Sequence, residues 1–141
     1  YTGVLLASHA NPRRFLPSDR GLSDDMILGL AERGGVIGIV PYNRFLVPGW
    51  HPTDGRRNVS LSLVADAIDH VCQVTGDVQH VGIGTDFDGG FGYERVPEEI
   101  NTIADLQKLV PLLAERGYTS DQINLIFHGN WLRTLRKGLP T

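Results

Sequence analysis

Short apolar runs along the chain alternate with longer stretches in which apolar residues recur every three or four positions. This is the pattern of strands buried on both faces and joined by amphipathic helices. Gly3 to Ser8 is the first run and predicts a buried strand. Ser23 is placed to cap a helix with Met26, Ile27, Leu30 and Ala31 on one face, and Gly34-Gly35 ends it. Val36 to Val40 predicts a second buried strand, closed by Pro41. A loop from Tyr42 to Arg57, with aromatics, prolines and His51, leads to a helix bearing Leu61, Val64, Ala65, Ile68, Val71 and Cys72 and stopping at Gly76. Val81 to Gly84 predicts the third strand. Beyond a glycine-rich loop, Asp86 to Pro97, Thr102 and Asp105 form a capping-box pattern ahead of Leu106, Leu109, Val110 and Leu113. Pro111 is expected to bend that helix. Thr119 to Gln122 repeats the box before Ile123, Ile126 and Phe127, and a last helix holds Trp131, Leu132 and Leu135.

Strand, loop, helix, three times over with helices added, means parallel strands with right-handed crossovers. The fold class is therefore α/β, and the spacing suits the C-terminal portion, three βα units plus extra helices, of a (β/α)₈ barrel of about 250 residues. A small open sheet is the alternative, but it leaves a three-stranded parallel sheet with two bare edges. No internal linker divides the chain, so residues 1–141 read as one segment. The start at Tyr1, just ahead of a strand, and the frayed-looking finish from Lys137 to Thr141 suggest a piece of a longer protein.

Composition narrows the function classes. A net charge of −3 with 41% hydrophobic residues excludes a disordered tail and gives no basic face for nucleic acid. No apolar run approaches the ~20 residues of a membrane span. A single cysteine, Cys72, excludes an internal disulfide framework and a cysteine metal cage. The one unusual figure is 17 glycines, which point to strand ends and loops.

In either architecture ligands bind beyond the carboxyl ends of the strands. Three places qualify: His9, Pro41-Tyr42-Asn43 and Asp86. A histidine and an aspartate at the same end of neighbouring parallel strands suit metal-assisted hydrolysis, the imidazole as ligand and the carboxylate as ligand or proton shuttle. Loop capping by the same two residues is the plainer alternative. Arg20, in the loop that begins at His9, has the fork to hold a carboxylate, unless it pairs with Asp19 or Asp24 on the surface. Other motifs fail. Gly82-Ile83-Gly84 lacks the third glycine of a dinucleotide fingerprint, Asp86 to Gly90 breaks the calcium-loop pattern, and no phosphate loop or zincin helix exists. Of the other histidines, His70 is expected on a solvated helix face, His80 at the stability end of a strand, His128 at a helix C-terminus and His51 in a turn-rich loop.

Six fragments stand in order along the chain: Ser8-His9-Ala10-Asn11, Arg20 to Met26, Gly34 to Ile39, Asp69-His70-Val71, Val81 to Gly89 and Gly129 to Arg133. Together they resemble the second half of the membrane (renal) dipeptidase family of zinc metallopeptidases. The resemblance implies a (β/α)₈ barrel with two zinc ions bridged by a glutamate and a water or hydroxide. It also implies cleavage of dipeptides, often with a D-residue on the carboxyl side. By the same resemblance His9 matches the last zinc-binding histidine, Arg20 the arginine on the substrate carboxylate, and Asp86 the catalytic acid/base. Tyr42 and Asn43 fall among substrate-facing residues. The family's other metal ligands match nothing in this chain.

The leading expectation is thus a zinc-dependent dipeptidase of which this chain carries part of the site, with one zinc or none held by the chain alone. The rival is a non-catalytic barrel fragment acting as a subunit or interaction module. A third, a phosphate-binding barrel using Gly82 to Gly92, suffers from the carboxylates of Asp86 and Asp88. The expected partners are a dipeptide substrate and either a second copy of the chain or the missing N-terminal part. Neither nucleic acid nor a membrane segment is expected.

Overall fold

The computed structural model describes residues 2–139. Helix α1 (Asp24–Glu32) begins where Ser23 Oγ accepts the Met26 amide at 3.3 Å, and Asp24 and Asp25 sit against its positive end. It stops at Gly34, whose φ of 69° takes the chain out of the helix. Of the expected apolar face only Ile27 is fully buried, and Met26 is half exposed, so the stripe facing the core is narrower than the spacing suggested.

Strands β1 (Ile37–Ile39) and β2 (Val81–Ile83) pair in parallel, with Ile37 opposite Val81 and Ile39 opposite Ile83. Val36 to Val40 is buried throughout, as expected. The first run is a correction. Gly3 to Ser8 lies beside β1 through Ala7 N–H to the Val36 carbonyl (3.0 Å) and Gly38 N–H to the Ala7 carbonyl (2.8 Å), but it forms one parallel bridge rather than a strand. It is not buried on both faces either: Val4 and Leu5 are half-buried and Leu6 is exposed. The reason is its edge position, because β1 is its only ladder neighbour among the described residues.

The loop after β1 holds a single-turn helix, α2 (Asn43–Leu46), and a 3₁₀ turn at Pro52–Asp54. Helix α3 (Ser62–Thr75) follows, with Val64, Ala65, Ala67, Ile68, Val71 and Cys72 buried against α1 and both strands. Gly76, at φ 79°, caps it by returning its N–H to the Cys72 carbonyl.

Asp105 accepts the Thr102 amide at 2.8 Å, the expected capping box, but the segment it opens is a 3₁₀ helix (Ile103–Lys108) that becomes α-helical only in α4 (Leu109–Glu115). Pro111 therefore falls in the first turn of α4, where an N–H needs no partner. The expected bend is taken up as a change of helix type.

Thr119 and Gln122 cap α5 (Ser120–Asn124), which continues through a π-helical turn (Leu125–Gly129) into α6 (Asn130–Gly138). His128 consequently lies inside a continuous helical stretch rather than at a helix C-terminus. Lys137 and Gly138 are helical too, while Tyr1, Pro140 and Thr141 lie outside the described residues. The core fills the space between the strands and α1 and α3, with Leu109, Leu113 and Ile126 completing it.

Candidate active site

The carboxyl ends of the three parallel segments meet at backbone distance. A Cβ on Gly84 would run into the Ser8 carbonyl and come within 2.9 Å of Gly38 Cα, and a Cβ on Gly38 would meet the same carbonyl. Only glycine at both positions lets the segments close up. His9 is the next residue after Ser8, and Asp86 is two beyond Gly84, so the sequence-derived pair leaves the strands at one end of the fold.

Asp86 sits in the left-handed region (φ 53°), as does Asp88 (φ 64°), a conformation that non-glycine residues adopt at some cost. The turn is closed by Gly89 N–H to the Asp86 carbonyl at 2.9 Å. A Cβ on Gly89 would strike the Asp86 carboxylate, so the glycine keeps that carboxylate's space open.

Arg20 is brought to His9 by a loop that folds back on itself: Leu22 N–H bonds the Asn11 carbonyl at 3.0 Å and Arg13 N–H the Leu22 carbonyl at 2.7 Å. Arg20 Nη2 then donates to the His9 carbonyl at 2.8 Å, and the guanidinium carbon stands 5.3 Å from the centre of the Phe45 ring. The alternative surface pairing does not form among the described residues. Asp24 instead meets His70 Nε2 at 2.9 Å. That contact also corrects the expectation for His70, whose side chain is only 15% exposed, lies edge-on to Phe15 and ties α3 to α1. His80 behaves as expected, with Nδ1 against the Gly35 carbonyl at 2.9 Å.

His9 is exposed, and its Nδ1 lies 2.7 Å from Ser8 Oγ. With Nδ1–H donating to that hydroxyl, Nε2 carries the lone pair a metal needs, the usual support of a metal-binding imidazole. Among the described residues no group of three or more histidine, cysteine, aspartate or glutamate side chains converges. The donor chemistry therefore fits one imidazole corner of a metal site, and the remaining ligands would come from other residues.

Tyr42 packs into an aromatic cluster, stacked on Phe91 at 4.4 Å and edge-on to Phe45 (5.0 Å) and Trp50 (6.3 Å). Phe91 belongs to the loop of Asp86, so this stack joins the loops after β1 and β2. Beside the cluster opens a cleft of about 420 Å³ whose walls include Arg20, Tyr42, Arg44, Phe45, Trp50 and His51. Asn43 does not reach it. It is fully buried, and neither its Nδ2 nor its Oδ1 has a hydrogen-bond partner among the described residues. The one-turn α2 that Asn43 opens packs onto α3, which takes this position inside while Tyr42 stays at the cleft.

Other residues that position the site escaped the sequence reading. Asn11, fully buried, donates to the Val40 and Phe45 carbonyls (both 3.1 Å) and accepts from Val40 N–H (2.8 Å), tying the loop after His9 to the end of β1 and to α2. Asn130 donates to the Val78 and Val81 carbonyls at 2.7 and 2.8 Å, and Trp131 Nε1 to the Ile83 carbonyl at 3.1 Å, holding β2 from behind. Their only signal is their place in the family-like fragments Ser8 to Asn11 and Gly129 to Arg133. Cys72 takes no part: it is buried, and burial pushes its thiol up to about 11.

The model of the family described as Membrane dipeptidase (Peptidase family M19) matches residues 4–138. A protein of Klebsiella pneumoniae, named only from its position in the pqqA 5′ region, is 32% identical over 137 residues, 96% of this chain and 47% of that protein. An uncharacterized dipeptidase of Schizosaccharomyces pombe is 31% identical over 126 residues, 89% of this chain and 29% of its own. Among solved structures, a metallopeptidase of Rhodobacter sphaeroides, liganded with a phosphinate mimic of the dipeptide L-Ala-D-Ala, matches with a TM-score of 0.79 at 29% identity, over 97% of this chain and 37% of the other. The chain thus spans less than half the length of each of these relatives. No helix among the described residues is long and apolar enough to cross a membrane.

Proposed function

Because this chain belongs to the membrane dipeptidase family, a family of metallopeptidases whose α/β barrel it matches in part, we propose that it forms part of the site of a zinc-dependent dipeptidase. The contact that carries the proposal is Arg20 Nη2 on the His9 carbonyl. It sets the Arg20 guanidinium on the backbone of the candidate metal ligand itself, at the strand ends from which Asp86 also emerges. The phosphinate dipeptide in the Rhodobacter sphaeroides relative supports a dipeptide substrate with a D-residue on its carboxyl side.

In this mechanism His9 Nε2 would be the metal donor supplied by the described residues. Zinc, when bound, contributes activation of water and polarisation of the scissile carbonyl. Arg20 pairs its fork with the substrate's α-carboxylate and Tyr42 walls that side, while Asn43 is buried with both polar side-chain atoms unpartnered among the described residues. The Asp86 carboxylate takes the proton from the attacking water and returns it to the leaving amine. Residues 1–141 act as one segment, inactive alone. Association with a second copy, or with chain that supplies further donors, would cover the open edge at Gly3 to Ser8.

The complete protein is expected to hydrolyse dipeptides, to lose at least tenfold of its turnover after dialysis against a chelator, and to regain it with zinc. Undiminished activity in the metal-free protein would overturn the metal role. Full-length protein that binds no metal and turns over no dipeptide would favour the non-catalytic subunit.

Arg20→Lys is expected to raise KM at least tenfold for a dipeptide with a free carboxylate, since lysine loses the bidentate fork. The carboxyl-amidated dipeptide is the control. Equal losses for both substrates would make Arg20 a support of the His9 loop and nothing more.

A further inference from the structure

The cleft beside Tyr42 holds more positive charge than one carboxylate needs. Arg44, on α2, lines it together with Arg20 and His51, and no aspartate or glutamate is among the lining residues. Arg20 is engaged with the His9 carbonyl and the Phe45 face. Arg44 is exposed and has no hydrogen bond, ion pair or ring contact among the described residues. Two guanidiniums in one concave, aromatic-walled space repel each other, and an anion between them removes the repulsion. Phe45 and Trp50 form one wall of the cleft. Arg44 also lies two residues from Tyr42, on the loop that the Phe91 stack ties to that of Asp86.

We propose that this cleft selects a dipeptide whose carboxy-terminal residue is itself acidic, with Arg20 on the α-carboxylate and Arg44 on the side-chain carboxylate. The proposal rests on the placement of the substrate's carboxyl end at Arg20. Aspartyl or glutamyl ends present two carboxylates a few bonds apart, which is the span two neighbouring guanidiniums can share. The uncharged isosteres, asparagine and glutamine, keep the shape and lose the charge.

The test compares kcat/KM of the complete, metal-loaded protein for alanyl-glutamate and alanyl-glutamine, each with an L- and a D-configured second residue, in wild type, Arg44→Gln and Arg44→Lys. Wild type is expected to favour the glutamyl end at least tenfold in one configuration. Arg44→Gln should bring that ratio to within about twofold of unity, chiefly through KM, and Arg44→Lys should keep part of it. Because the ratio is measured within each variant, partial misfolding cancels. Should the complete protein cleave no dipeptide, calorimetric binding of free glutamate against glutamine, again in both configurations, decides the matter separately. Discrimination that Arg44→Gln abolishes sustains the acidic subsite while the dipeptidase reading falls. A wild type without discrimination in either measurement, or a ratio that survives Arg44→Gln, overturns the proposal.

Discussion

Asp86→Asn is expected to lower kcat of the complete protein by about 10²- to 10⁴-fold, the range that removal of a positioned proton-transfer group covers, with KM changed only a few-fold. The substitution isolates the chemistry because the amide keeps the shape of the carboxylate and loses its basicity. Backbone strain will not confuse the outcome. Asp86 has a φ of 53°, and asparagine is among the residues that enter the left-handed region most readily. Gly89 leaves the side chain its space in the variant as in the wild type. The melting temperature should therefore move little while turnover collapses, measured by initial rates and by thermal unfolding on the same preparation. Unchanged kcat would remove Asp86 from the proton path.

Gly84→Ala is expected to be the most damaging single-methyl change in the chain. Its Cβ meets the Ser8 carbonyl and lies 2.9 Å from Gly38 Cα, and both obstacles are backbone. Neither can rotate away as a side chain would, so the first segment must separate from β1 and β2. Overpacking of this kind costs about 1–3 kcal/mol or more, read as a lower denaturant midpoint. The same displacement moves His9 and Asp86 apart, so activity should fall further than stability alone explains. Gly29→Ala provides the contrast. Gly29 lies within α1 with no atom near its missing Cβ, and alanine there should stabilise by about 0.5–1 kcal/mol. Gly84→Ala with wild-type stability and activity would show that the three segment ends do not need their present spacing.

Much of the fold was legible because its signals are local. The caps at Ser23, Thr102 and Thr119 depend on a side chain and an amide three residues on, and the stop at Gly76 on one backbone angle. The misreadings of Gly3 to Ser8 and of His70 both turn on long-range neighbours. Gly3 to Ser8 has the composition of a doubly buried strand, yet burial depends on neighbours that a run of apolar letters does not name. His70 has carboxylates beside it in sequence, at Asp66 and Asp69, but its partner is Asp24, 46 residues away. Pro111 reads as a kink inside a helix until the helix type changes two residues before it.

By itself, the sequence determined the alternation of parallel strands and helices, the end of the strands at which chemistry is possible, and the candidate trio His9, Arg20 and Asp86. Strand periodicity and capping chemistry dictate the alternation, and the ordered motifs identify the family and single out the trio. Only the tertiary structure decided what meets what. It set Arg20 on the His9 carbonyl, because Asn11 and Leu22 close the loop between them. It took Asn43 inside and left Tyr42 at the cleft, since a one-turn helix packed on α3 presents its successive residues to different sides. And it put Arg44 in the same cleft as Arg20, a meeting of two like charges that neither residue's local sequence encodes, because it depends on the convergence of two loops from different strand ends.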